Sequence, residues 1–97
     1  TYTVKAIGKN AFSSNKKITD IKLPNSIQTI KESAFISCKS LKSIVIPLSV
    51  TTIESYAFYN APALTDIYYE GTETEWNKIV IQDNDISNIN IHFNSQL

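Results

Sequence analysis

The chain has 97 residues, with nine basic and nine acidic side chains, one histidine, one cysteine and no methionine. That balance excludes the basic footprint of a nucleic-acid binder or of a polybasic membrane surface, and no apolar stretch reaches transmembrane length. One cysteine cannot close an internal disulfide, so composition leaves the redox compartment open.

The first residues, Thr1-Tyr-Thr-Val4, enter a repeating pattern halfway through a unit and carry no leader, as in a piece cut from a longer protein. Its N-terminal end is then an open stacking face, through which end-to-end self-association is expected. The repeat shows first in Ala11-Phe12, Ala34-Phe35 and Ala57-Phe58, which are spaced equally at 23 residues. A fixed period of this size is the mark of a solenoid, in which stacked units share one continuous core. The same period aligns Val4, Ile27 and Val50; Ile7, Ile30 and Ile53; Ile18, Leu41 and Leu64; Ile21, Ile44 and Ile67; and Leu23, Ile46 and Tyr69.

Each Ala-Phe segment is too short for a free-standing α-helix and suits a short helix or 3-10 turn held by packing. The Phe column points inward, and the preceding Ala allows close approach to the neighbouring turn. The runs 18–23, 41–46 and 64–69 alternate inward and outward residues, as short parallel strands do. Pro24 and Pro47 end the first two by removing a ladder donor. A second extended piece follows, Ser26–Ile30 and Ser49–Ile53, and the sequence leaves open whether it pairs. Cys38 shares a small-residue column with Asn15 and Ala61, where a buried, inert thiol fits better than a reactive one.

After Tyr69 the pattern degenerates. At constant period Trp76 falls in the Ile7/Ile30/Ile53 column and Ile81 in the Phe column, while the strand 86–91 comes one residue early. The expectation is a fourth turn shortened by one residue. Thr72 and Glu75 form a capping box for a short helix from about Glu73 to Lys78, which carries Trp76 inward as an end cap. The alternative role for Trp76, stacking on a ligand, is the less economical reading.

The columns Leu/Ile-x-x-Ile-x-Ile/Leu-Pro-x-Ser-Ile/Val-x-x-Ile-x-x-x-Ala-Phe, read from Leu41 to Phe58 with Cys38 in the preceding copy, resemble the BspA-like (Treponema-type) leucine-rich repeat. The match is close over residues 4–70, and the Gly71-Thr72 to Trp76 stretch extends it more weakly. The expected fold is an α/β-type, right-handed leucine-rich-repeat-like solenoid of about four 23-residue turns in one domain, 1–97. Its parts are a partial turn 1–17, turns 18–40 and 41–63, a degenerate capped turn 64–85, and a terminal strand and tail 86–97.

Chemistry is sparsely marked. His92 has no partner that the sequence identifies, and no metal-binding helix motif, phosphate loop or nucleophile elbow occurs. The stretch Gln82-Asp-Asn-Asp85 gathers oxygen ligands but lacks the glycine and distal glutamate of a calcium loop, so a solvated connection is the better reading. No cofactor, metal site or catalytic residue is expected. What remains is surface geometry, in which outward positions of successive strands form columns. These are Lys22, Val45, Tyr68 and, after the one-residue slip, Asn90; Asp20, Ser43, Asp66 and Asn88; and Thr19, Lys42, Thr65 and Ser87. Asp20, Lys22, Lys42, Val45, Asp66 and Tyr68 are the candidate partner-binding residues, against the plainer reading of a solvated face. Leu48, and Ile36 with Tyr59, are further apolar positions on which a lateral contact could form, although isolated exposed apolar residues are ordinary.

The family resemblance implies a non-enzymatic adhesion or binding module of a secreted or cell-surface, largely bacterial protein. Its partner would be a protein or a glycan, host and extracellular-matrix components among them, with no nucleic acid and no direct membrane insertion. The alternative is a spacer or assembly scaffold without a ligand of its own, attached to another functional domain.

Overall fold

The computed structural model describes residues 4–96. The chain winds through four coils, each contributing one strand to each of two parallel sheets. One sheet is built from β1 (Ala6–Ile7), β3 (Thr29–Ile30), β5 (Thr52–Ile53) and β7 (Val80–Ile81). The other comprises β2 (Asp20–Lys22), β4 (Ser43–Ile46), β6 (Asp66–Tyr69) and β8 (Asn90–His92). The second extended piece therefore has its own ladder, which two-residue strands cannot announce by alternation. In both sheets the first three coils keep the 23-residue register, as in Ile7↔Ile30↔Ile53 and Ile21↔Ile44↔Ile67.

The core is wholly apolar. Leu23, Ile27, Ile30, Phe35, Leu41, Ile44, Ile46, Ile53, Ile67 and Tyr69 are all at most 1% exposed, and no buried side-chain polar atom lacks a partner among the described residues. Phe12, Phe35 and Phe58 form an inward stack with centroids 5.3 and 5.9 Å apart and rings within 10° of parallel. The first coil is more open, with Ile7, Phe12, Ile18 and Ile21 only partly buried. Ser26 and Ser49 donate their hydroxyls to the carbonyls of Val4 and Ile27 in the preceding coil, which accounts for the serine column.

The Ala-Phe segments are runs of tight turns rather than the short helices expected. Asn10, Ser33 and Tyr56 in one column, and Ser14, Ser37 and Asn60 in another, adopt positive φ between 56° and 60°. This aims alternate N–H groups along the solenoid axis. Asn10, Phe12 and Ser14 donate to the carbonyls of Glu32, Ala34 and Ile36, and Ser33, Phe35 and Ser37 to those of Ser55, Ala57 and Tyr59. Hydrogen bonds to the next coil thus replace those a helix would make within itself. Asn10 and Asn60 tolerate the left-handed region better than most residues, whereas Ser14, Ser33, Ser37 and Tyr56 occupy it at a steric cost. Between the first two coils the Cys38 thiol is fully buried and donates to the carbonyl of Phe12 at 3.0 Å. Burial pushes its pKa upward.

The fourth coil departs from the expected register. Ile53 pairs with Ile81, a step of 28 residues, so Ile81 takes the Ile column and not the Phe column. The extra length holds α1 (Glu73–Trp76), so Trp76 lies on a helix outside the Ile column. Its capping box is formed as expected, with Thr72 Oγ1 accepting from Glu75 N–H and Glu75 Oε1 accepting from Thr72 N–H at 2.9 Å. Trp76 is 7% exposed and packs edge-on against Tyr69, with centroids 5.1 Å apart. The return arm is then short: Ile81 to Ile91 takes ten residues where Ile53 to Ile67 takes fourteen. As a result β8 trails β6 by 24 residues, and the slip is one residue late where the sequence suggested one early. The strand lies at Asn90–His92 and does not begin at Ile86.

Because that arm has no Ala-Phe turn, the axial ladder must end there. Tyr56 N–H donates to the Asp83 carbonyl, and Phe58 N–H to the side-chain oxygen of Asn84 at 3.3 Å, which stands where Ala34 and Ala57 offer main-chain oxygens. The amide nitrogen of Asn84 in turn donates to the carbonyl oxygens of Glu54 and Gln82.

Candidate functional site

The outward face of the β2-β4-β6-β8 sheet carries the sequence-predicted positions. The alternation of each strand sends Ile21, Ile44 and Ile67 to the core and leaves Asp20, Lys22, Ser43, Asp66 and Tyr68 facing out. Lys42 lies just before β4, its N–H bonded to the carbonyl of Thr19. Val45 belongs to the same column but is 8% exposed, covered by its neighbours, and offers a partner almost no surface.

The corrected register changes the end of this face. Tyr68 pairs with His92, and Asp66 with Asn90. The expected Asn90, Asn88 and Ser87 are therefore not the outer members of their columns. The imidazole stacks on the Tyr68 ring, with centroids 4.6 Å apart and planes within 14°. Its Nε2 lies 2.8 Å from Asp66 Oδ1, and Thr65 donates its hydroxyl to Asp66 Oδ2 at 2.8 Å. His92, which sequence reasoning left without partners, thus ties Asp66 and Tyr68 into one unit. The signal was present in the parallel between Asp66-Ile-Tyr-Tyr69 and Asn90-Ile-His-Phe93, which share alternation and end on an aromatic ring.

A second pair repeats the device between the first two coils. Ser43 donates its hydroxyl to Asp20 Oδ1 at 2.5 Å, and Thr19 donates to Asp20 Oδ2. Both aspartates are thus held by the threonine before them and by a side chain from the following coil. The His92 hydrogen bond, followed by that of Thr65, lowers the pKa of Asp66. Lys22 and Lys42 are exposed and form no ion pair among the described residues.

The cleft lined by Phe58 and Ile89 and the one lined by Leu48 and Ile79 include neither His92 nor Asp66. No group of three or more His, Cys, Asp or Glu side chains suited to a metal ion occurs among the described residues.

The same architecture occurs in a crystal structure of a leucine-rich cell surface protein from Faecalibacterium prausnitzii A2-165. It matches 78% of this chain with a TM-score of 0.76 and 36% sequence identity. The chain spans 20% of the length of that protein. No curated protein matches the chain. A family model described as a BspA type leucine rich repeat region of six copies matches residues 1–96. With that match extending over nearly the whole sequence, the chain belongs to the BspA-type leucine-rich repeat family.

Proposed function

We propose that the chain is a non-enzymatic recognition module of a cell-surface protein, holding a protein partner on the outward face of the β2-β4-β6-β8 sheet. The observation that carries this reading is the continuous, ordered surface formed by Asp20, Lys22, Lys42, Asp66, Tyr68 and His92. Four of these six are fixed by contacts with neighbouring coils, so little side-chain freedom remains to be lost on binding. Surface location draws support from the leucine-rich cell surface protein that shares the fold.

The stacking favours a protein over a glycan on this face. His92 covers one side of the Tyr68 ring and Val45 adjoins the other, so Tyr68 presents its edge and hydroxyl rather than a flat platform for sugar C–H groups. Alternating acidic and basic side chains instead suit a mixed-charge protein surface, giving specificity through complementarity.

The experiment is binding to a panel of purified extracellular-matrix and cell-surface proteins, with the parent chain beside the Tyr68→Ala/Lys22→Ala double variant. Loss of one partner by about tenfold or more, with an unchanged melting profile, supports the reading. Unaltered binding by the variant removes it. A second reading, a spacer with no ligand of its own, is favoured by the small share of the longer relative that the chain spans. It predicts that no panel member binds.

A further inference from the structure

The short return arm of the fourth coil leaves a cleft of about 310 Å³ against the end of the third. A fourth Ala-Phe turn would fill this space, and without it Phe58 is 8% exposed where Phe35 is sealed at 0%. Phe58, Leu64 and Ile89 make an apolar floor, and Tyr59, 61% exposed, stands at the rim.

Polar groups surround that floor with hydrogen-bonding capacity to spare. The main-chain N–H of Asn60 has lost the carbonyl that its equivalents Ser14 and Ser37 find in Ile36 and Tyr59, and it makes no bond among the described residues. The Asn88 amide is likewise without a partner among them. Ser55 donates to Asp83 Oδ2, and Ser87 to Asp85 Oδ1, which leaves the second oxygen of each carboxylate as an acceptor. Asn84, by contrast, is spent on the ladder end and only shapes the wall. No Lys, Arg or His side chain lines the cleft.

We infer that this cleft binds a neutral sugar residue of a glycan. A pyranose ring has hydroxyls that both donate and accept around its edge and C–H groups on its faces, and the cleft offers the complement of each. Asn60 N–H and Asn88 donate, Asp83 and Asp85 accept, and Phe58, Ile89 and Tyr59 meet the apolar faces. A lost axial carbonyl is what makes the Asn60 N–H available, so the same deletion creates both the space and a donor. An acidic sugar, a phosphate or an acidic peptide would bring an anion against two carboxylates with no cation between them. The site is independent of the strand face.

The test uses the full chain titrated with millimolar neutral hexoses, N-acetylhexosamines and sialic acid, followed by amide resonances. The expected result is a shift of Asn60 and Asn88 with a neutral sugar and none with sialic acid. Tyr59→Ala and Asp85→Asn, both at exposed positions, should each weaken the interaction by about tenfold, while Tyr68→Ala leaves it unchanged. The inference is overturned if no neutral sugar moves those resonances, if sialic acid binds as well, if a lysine-rich peptide alone occupies the cleft, or if Tyr59→Ala retains full affinity.

Discussion

The second and third coils are built from the same arms at the same spacing, whereas the fourth keeps both strand ladders but redistributes the chain between them. It spends five more residues before β7, on α1, and four fewer before β8, with no Ala-Phe turn. What survives is the inward isoleucine of each strand, Ile81 and Ile91, in register with Ile53 and Ile67. A coil here is defined by its ladders and its apolar columns, and the arms between them can be exchanged. Regular coils put their side chains to use in packing; the irregular one frees a donor, opens a cleft and brings His92 onto the strand face.

The strongest way to break this comparison is through the Phe stack. Phe35→Ala should cost about 3–5 kcal/mol, because it empties a fully buried site contacted by rings from both sides. In so short an array that loss can unfold all four coils together. The measurement is denaturant unfolding, and a midpoint unchanged from the parent would mean that the stack contributes nothing to cooperativity.

How the sequence disclosed this architecture follows from the same contrast. Ile30, Phe35 and Ile44 recur in their columns because each sits between identical neighbours, so period alone places them. The fourth coil defeats period because a five-residue insertion and a four-residue deletion nearly cancel. Counting columns through Trp76 then gives a plausible but false register, one residue early instead of one late. The capping box at Thr72 and Glu75 remained legible because it is local. The tight turns around Ala-Phe did not, since their conformation is set by hydrogen bonds to the next coil. For the strand face, Asp20, Lys22, Asp66 and Tyr68 could be placed outward from alternation, Lys42 only from its charge because it precedes β4, while His92 required the correct slip.

Next in size is the end of the axial ladder. Asn84→Ala leaves the Phe58 N–H without its acceptor and takes one of two donors from the Glu54 carbonyl, which keeps the Ala57 N–H, and should cost about 1–3 kcal/mol, felt mainly in the fourth coil. Amide exchange should accelerate across residues 80–93 and little in the second coil. Asn84→Asp keeps the acceptor for Phe58 but sets a carboxylate oxygen against the carbonyls of Glu54 and Gln82, so an effect at least as large is expected. Equal acceleration in all coils would show that the ends are not distinct.

The smallest effect separates the coils by pH. Asp66, Glu75 and Asp85 all have lowered pKa values, through His92 for Asp66, Thr72 for Glu75 and Ser87 for Asp85. A carboxyl whose pKa is lower in the folded state contributes stability that is complete above its ordinary value of about 4 and is lost as pH falls through the folded value. All three groups contact or belong to the last third of the chain, so acid should loosen that end before the second coil. Trp76 fluorescence followed from pH 5 downward is the readout, with the amides of residues 43–46 as reference. Simultaneous loss of both signals would remove the distinction.

Cys38 gives the regular part of the solenoid a chemical clock. Its thiol is enclosed where the first two coils meet, with the sulfur against the carbonyl of Phe12, and burial disfavours the thiolate that alkylating reagents attack. Labelling can proceed only as fast as the first coil lifts from the second. The rate at which this one sulfur disappears therefore counts those openings directly, at the opposite end of the molecule from the coil that varies.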